Sequence, residues 1–243
     1  MSPPVFLAGT AALEGDRVVL DGAEGRHAAS VRRLRPGERV DLTDGAGLLA
    51  ECVVTAADRA SLTLDVLARH REAPPSPRLV VVQALPKGDR GELAVETMTE
   101  AGVDEIVPWS AARCVTQWRP ERREKALGRW RSTAREAGKQ ARRSRLPDVA
   151  GLASTADVAE RIAAASLALV LHEEAEAPLS AVEPPADGEI VLVVGPEGGI
   201  TAEELERFAA AGGRATRLGP TVLRTSTAGV AAAAVLLAAT GRW

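Results

Sequence analysis

The chain has 243 residues, 46% of them hydrophobic and 26% charged, with a formal net charge of -3. That balance suits a globular protein, and no apolar run reaches the roughly 18 residues of a membrane span, so Ala228 to Thr240 reads as a buried helix. Two cysteines without CxxC spacing and only three histidines argue against a disulfide scaffold or a zinc site. Cys52 and Cys114 read as small buried residues of a reducing compartment. The start, Met1-Ser2-Pro3-Pro4, lacks the basic and apolar stretches of a signal peptide, and the expected address is cytoplasmic.

Up to about residue 72 the pattern is strand-like. Arg39 to Thr43 and Ser61 to Val66 alternate polar with apolar residues, the period of a half-buried strand. Turn signals at Asp21-Gly22, Pro36-Gly37 and Asp44-Gly45 separate the runs, and the last of them with Leu48 to Thr55 reads as a hairpin. Glu24 to Leu34 reads as a short helix carrying Arg26, His27, Arg32 and Arg33. So many short strands in so little chain predict a small β-barrel over residues 1–72. Residues 73–77, Ala-Pro-Pro-Ser-Pro, read as an extended linker.

From residue 78 to 243 strands alternate with helices, which predicts a mainly parallel sheet covered on both faces, an α/β domain. Leu79 to Ala84, Glu105 to Val107, Ser166 to Leu171, Glu189 to Val194 and Ala215 to Leu218 are the expected strands. Helices are expected from near Asp89 to Ala101, ended by Gly102, over roughly Pro120 to Arg143, and from about Thr227. Thr201-Ala202-Glu203-Glu204 is a capping box that opens another. Between Arg113 and Arg145 twelve basic and three acidic residues give a local charge of +9. Such a stretch is either a phosphate-binding surface or a solvated helix in an arginine-rich protein.

Two strand-to-helix turns are the places for chemistry. Gly195-Pro196-Glu197-Gly198-Gly199 follows a buried strand and precedes a capped helix, so backbone amides there are open to a ligand or simply turn tightly. GxGxxG is absent and there is no Walker lysine. In the second turn, Leu218-Gly219-Pro220 leads to Leu223-Arg224-Thr225-Ser226-Thr227, where the hydroxyls are candidate N-caps and Arg224 can pair with a phosphate or a base oxygen.

These two stretches together resemble the RsmE family, the small-subunit ribosomal RNA uracil-N3 methyltransferases of the SPOUT superfamily. Pro86-Lys87-Gly88-Asp89-Arg90, Glu100 to Val103, Arg113-Cys114, Lys139-Gln140, Arg143-Ser144-Arg145 and Leu171-His172 fall in the family's order. Gly25-Arg26-His27 with Val31 to Gly37 resembles its N-terminal PUA-like domain, so the likeness covers nearly the whole chain. It implies a PUA-like β-barrel for RNA binding and a SPOUT-type α/β trefoil knot domain, a rare exception to unknotted folds. It also implies a homodimer and S-adenosylmethionine as methyl donor, held by Leu171, His172, Gly195, Pro196, Glu197, Gly198, Gly199, Leu218, Gly219, Leu223, Arg224 and Thr225. No metal is expected.

Methylating uracil N3 requires in-line geometry and loss of the N3 proton. Arg224 is expected to steady negative charge on the uracil oxygens. Many members of the family have a carboxylate where this chain has Ser226, which leaves Glu197 and His172 as alternative bases. Lys139 stands where relatives often carry an acid, and reads as an addition to the basic patch. Aromatics make up 2% of the chain, so the four tryptophans read as packing residues and RNA grip is expected from arginines. The candidates are Arg26, Arg32, Arg33, Lys87, Arg90, Arg113, Arg142, Arg143 and Arg145, with 16S rRNA or the small ribosomal subunit as partner. The competing readings are a knotted methyltransferase acting on tRNA or a ribose 2′-OH, and a catalytically silent RNA-binding protein.

Overall fold

The structure, a computed structural model, describes residues 3–243. The chain forms two compact units, one of residues up to 74 with 138–146, the other of residues 75–137 with 147–243. The return of 138–146 to the first unit is a feature that the linear reading of strands and linker does not contain.

The first unit holds β1 (Val5–Leu7), α1 (Thr10–Leu13), β2 (Arg17–Leu20), α2 (Gly22–Arg26), β3 (Arg39–Thr43), β4 (Leu48–Ala57) and β5 (Leu62–Arg71). Its five strands run in the order β1-β3-β4-β5-β2, parallel only between β1 and β3. The period-two pattern sends Val40, Leu42, Leu48, Ala50, Cys52, Val54, Leu62 and Leu64 into one core with Phe6 and Leu13. The stretch expected as one short helix is α2 followed by a π-helical turn, His27–Val31.

Residues 138–146 join this unit through specific bonds. Gly47 N–H donates to the Ser144 carbonyl at 3.0 Å, and Leu146 N–H to that of Gly45 at 2.9 Å. The Ser144 hydroxyl donates to the Glu72 carboxylate, and the Arg145 guanidinium to the Glu72 carbonyl at 2.8 Å. Gly47 has a φ of +107°, and a Cβ there would lie 2.5 Å from the Arg145 guanidinium, so only glycine fits. Lys139 lies 2.9 Å from Glu24, both nearly buried. Lys139 is therefore no part of an exposed basic patch: a buried ammonium needs a partner, and Glu24 supplies one.

The second unit holds β6 (Arg78–Ala84), α3 (Arg90–Ala101), β7 (Glu105–Trp109), α4 (Pro120–Gln140, its last turn shared with the first unit), β8 (Asp148–Val149) and α5 (Thr155–Ala164). Then come β9 (Leu167–Leu171), β10 (Glu189–Val194), α6 (Ala202–Ala210), β11 (Arg214–Thr216) and α7 (Thr225–Ala239). All six strands are parallel, in the order β11-β9-β10-β6-β7-β8. Val80 to Val82 and Ile190 to Val194 are buried in the middle of the sheet, as continuous apolar runs require when both faces are covered. After β11, at one edge, the chain crosses back so that α7 packs on β6, β10 and α3. Helix α3 ends on Gly102 in the left-handed region, as expected. Helix α5, opened by a Ser154–Asp157 capping box, was not anticipated.

Both cysteines are buried free thiols. Among the described residues no helix is long and apolar enough to cross a membrane.

Candidate active site

Because the sheet is parallel, the loops after β9, β10 and β11 leave from one edge, and the strand order β11-β9-β10 makes them neighbours. At the end of β9, His172 N–H donates to the Thr216 carbonyl at 3.1 Å, tying that loop to the end of β11. The His172 ring accepts the Glu174 N–H at Nδ1, 3.3 Å away. A neutral imidazole that accepts at Nδ1 carries its proton on Nε2, so His172 faces its surroundings as a donor.

The glycine loop after β10 is braced from several sides. Gly199 adopts φ +74°, and its N–H closes a turn on the Pro196 carbonyl at 2.9 Å. A Cβ at Gly195 would lie 2.7 Å from Ile200 Cγ1, and one at Gly198 would lie 3.0 Å from Arg113 Cβ. These two glycines therefore let the protein's own side chains approach, as the tight-turn alternative for this stretch requires. Arg113, expected on RNA, places Nη1 3.1 Å from the Gly198 carbonyl and braces the loop. Behind it stands Glu204, 4% exposed, whose capping-box bonds to Thr201 are as expected. Its carboxylate also accepts from Ala112 N–H at 2.8 Å and from the Thr155 hydroxyl at 3.1 Å. One buried carboxylate thus fixes the start of α6, the start of α5 and the loop that carries Arg113.

The last loop leads into α7. The N-cap residue is Arg224 itself, with extended backbone, and its carbonyl accepts from the N–H groups of Thr227 and Ala228 at 2.9 Å. None of the three hydroxyls expected as caps plays that part: Thr225 and Ser226 are buried inside the first turn, and Thr227 donates back to the Arg224 carbonyl. Leu218 and Gly219 are half-buried, whereas Leu223 and Arg224 are exposed.

Arg224 shares a cavity of about 470 Å³ with Glu197, Lys87, Gly88 and Arg90. Three cations surround one carboxylate there, and Lys87 N–H donates to Glu197 Oε1 at 3.1 Å. This is where the structure brings together the two expected catalytic residues and two of the expected RNA contacts.

The other basic candidates have different settings. Arg26, Arg32, Arg33 and Arg142 are exposed on the first unit. Arg33 and Arg142 have φ of 55° and 57°, a costly backbone for a non-glycine residue. Arg143 is half-buried, and Arg145 is tied to Glu72. One residue the sequence reading missed is Gln83 in β6. Its side-chain amide donates to the Thr225 carbonyl at 3.3 Å, fixing the start of α7, while its Oε1 is a buried atom without a partner, like Ser226 Oγ. The signal was a single polar residue in the apolar run Leu79 to Ala84.

Comparison with known proteins places the chain in a family. Residues 73–237 match the RNA methyltransferase domain family, and residues 20–67 match the RNA methyltransferase PUA domain. The ribosomal RNA small subunit methyltransferase E of Mycobacterium bovis is 49% identical over 98% of this chain and 93% of its own length. The chain belongs to the ribosomal RNA small subunit methyltransferase E family. Its architecture is accordingly a PUA-like β domain followed by a SPOUT-type α/β knot domain. The Neisseria gonorrhoeae member of this family, solved bound to S-adenosyl methionine, superposes with a TM-score of 0.85 at 27% identity, covering 98% of both chains. A Legionella pneumophila methyltransferase solved with bound SAM covers 98% of both chains with a TM-score of 0.84 at 26% identity.

Proposed function

We propose that this chain transfers a methyl group from S-adenosylmethionine to N3 of a uracil in 16S ribosomal RNA of the small subunit, acting in the cytoplasm as a homodimer. The observation that carries this reading is the meeting of Arg224 and Glu197 with Lys87 and Arg90 on one cavity, beside the three loop ends of the parallel sheet.

The residues present suit the donor. The loops at Leu171-His172, Gly195 to Gly199 and Leu218 to Thr225 converge, and buried Ser226 Oγ and Gln83 Oε1 lack protein partners beside the last of them. A buried polar atom without a partner is costly, and a polar ligand relieves that cost. When bound, S-adenosylmethionine supplies an electrophilic methyl on a sulfonium and leaves as a neutral thioether.

The chain's own residues handle the charge and the proton of the uracil. Glu197 uses Oε1 on the Lys87 N–H, and Oε2 remains to receive the N3 proton. His172, held as a donor by Glu174 N–H, is the weaker candidate for the base. Arg224 faces the same cavity with its side chain exposed, and its guanidinium stabilises the negative charge that spreads to the uracil oxygens as N3 loses its proton. Lys87 and Arg90 add positive charge for the flanking phosphates. Val222, 78% exposed, and exposed Leu223 give the loop before Arg224 an apolar surface for a second copy of the chain to cover.

The test is to express the chain in cells lacking their own enzyme of this kind and to locate the new methyl group by nucleoside mass spectrometry. A 3-methyluridine in 16S rRNA is expected. Methylation confined to tRNA or to a ribose 2′-OH, or no methylation together with no calorimetric binding of S-adenosylmethionine, overturns the proposal.

A further inference from the structure

A second cavity, about 540 Å³, opens between the start of α3, the loop around Trp118 and the first half of α4. Its size falls within the range of small-molecule sites. Gly88 lines both this cavity and the one holding Arg224 and Glu197, so the two adjoin. The floor is built with care: Trp130 is 3% exposed, and its indole nitrogen would lie 2.8 Å from a Cβ at Gly91, so only glycine lets α3 approach. Trp118 meets Trp130 edge to face, ring centres 5.2 Å apart, and stays half-exposed. The Thr116 hydroxyl fixes the Trp118 loop by donating to the Pro86 carbonyl at 2.7 Å.

The cavity also carries net positive charge. Arg122, Lys125 and Arg129 line it one helical turn apart on α4. Arg129 pairs with Glu92 at 3.0 Å, whereas Arg122 and Lys125 form no ion pair among the described residues. Two cations without an ion pair among the described residues, lining one cavity with a half-exposed indole in a chain with only six Phe and Trp residues, make an arrangement that packing alone does not require. It combines the two elements that hold single-stranded nucleic acid: cations for the backbone and a ring on which a base stacks.

We propose that this cavity binds a nucleotide of the substrate RNA strand next to the methylated uracil, with the base against Trp118 and the phosphate at Arg122 and Lys125. The inference rests on the RNA methyltransferase reading given above and adds a subsite to it. Such a contact would hold the strand splayed, so that the target base enters the neighbouring cavity unstacked.

The experiment uses the full-length protein, with naked 16S rRNA and small ribosomal subunits from cells lacking the enzyme as the two substrates. An Arg122→Glu, Lys125→Glu double variant is expected to raise KM for both RNA substrates about tenfold or more. It should also flatten the salt dependence of KM by about two phosphate contacts. Trp118→Ala is expected to raise KM about tenfold with kcat unchanged, and Trp118→Phe to recover most of the KM, whereas a merely structural role for the indole would lower kcat as well. Calorimetric affinity for S-adenosylmethionine should be unchanged in all three. RNA KM values within twofold of wild type, with methylation by the wild type intact, overturn the subsite alone. A loss seen on subunits but not on naked RNA overturns it in favour of a ribosomal protein contact. A wild type that methylates no uracil instead defeats the parent reading.

Discussion

The two loops that frame the candidate active site are built in opposite ways. Gly195 to Gly199 is held by an internal turn, by Ile200 and Arg113 packed where side chains would otherwise stand, and by the buried Glu204 carboxylate behind Arg113. Residues 220–224 are all exposed, and from Leu218 to Leu223 no side chain makes a hydrogen bond among the described residues. On the proposed function the contrast separates two tasks. A loop that must present backbone groups to a ligand in one fixed geometry is braced before the ligand arrives, which lowers the ordering cost of binding. A loop that must meet a large partner keeps its surface open and places its one charged side chain, Arg224, at the end.

The largest effect that would test this division is on Arg224. Its guanidinium has no hydrogen bond within the described protein, and its capping role uses only the backbone carbonyl, so Arg224→Ala should change stability by no more than about 0.5 kcal/mol. Turnover with saturating RNA should fall by about 10²- to 10³-fold, while calorimetric affinity for S-adenosylmethionine stays within about twofold. Unchanged turnover would remove Arg224 from the chemistry and leave the open loop without a catalytic task.

Gly198→Val probes the braced loop and should show the converse pattern. Its Cβ would press on Arg113 Cβ at 3.0 Å and on the Arg113 carbonyl at 3.2 Å, forcing that loop aside. Donor affinity should fall about tenfold, a change of about 1.4 kcal/mol, with the melting temperature lowered as well. Full donor affinity in this variant would mean that the brace is irrelevant to binding, and the contrast between the loops would lose its functional meaning.

How much of this was legible in the sequence follows from how local each signal is. The Thr201–Glu204 capping box and the Gly102 stop are set by residues three or four apart, and both stand where the sequence puts them. The other partners of Glu204, Ala112 and Thr155, lie 92 and 49 residues away, and no spacing rule reaches that far. Lys139 misled for the same reason, since Glu24, which neutralises it, is 115 residues distant. Arg113 shows the same limit: charge suggested RNA, and the bond its guanidinium makes to the Gly198 carbonyl, 85 residues away, is not visible in spacing. Trp118 was invisible as a surface feature because composition counts tryptophans without saying which one its neighbours leave half-open. The Ser154–Asp157 box that opens α5 is a signal as local as the Thr201–Glu204 one.

The smallest effect sharpens the comparison without any activity assay, because the chain carries one buried thiol in each unit. Burial raises the pKa of Cys114, next in sequence to Arg113, and the charges of Glu197 and Glu204 raise it further against hydrogen bonds that lower it. Burial likewise pushes Cys52, in the first unit, up to about 11. The thiolate is the reactive form, so below the raised pKa both thiols should alkylate slowly at pH 8, with rates rising about tenfold per pH unit. Gly198→Val is expected to press on the loop that ends at Cys114, and Gly198, Arg113 and Cys114 all belong to the second unit whereas Cys52 belongs to the first. The variant's Cys114 should therefore alkylate at least about fivefold faster at pH 8, while Cys52 keeps its wild-type rate, as read by mass spectrometry of the labelled peptides. If both thiols sped up together, the substitution would have loosened the whole chain and would say nothing about the brace. If neither did, Arg113 would have yielded to the new side chain without opening its loop, and any loss of donor affinity would have to come from the shape of the glycine loop alone.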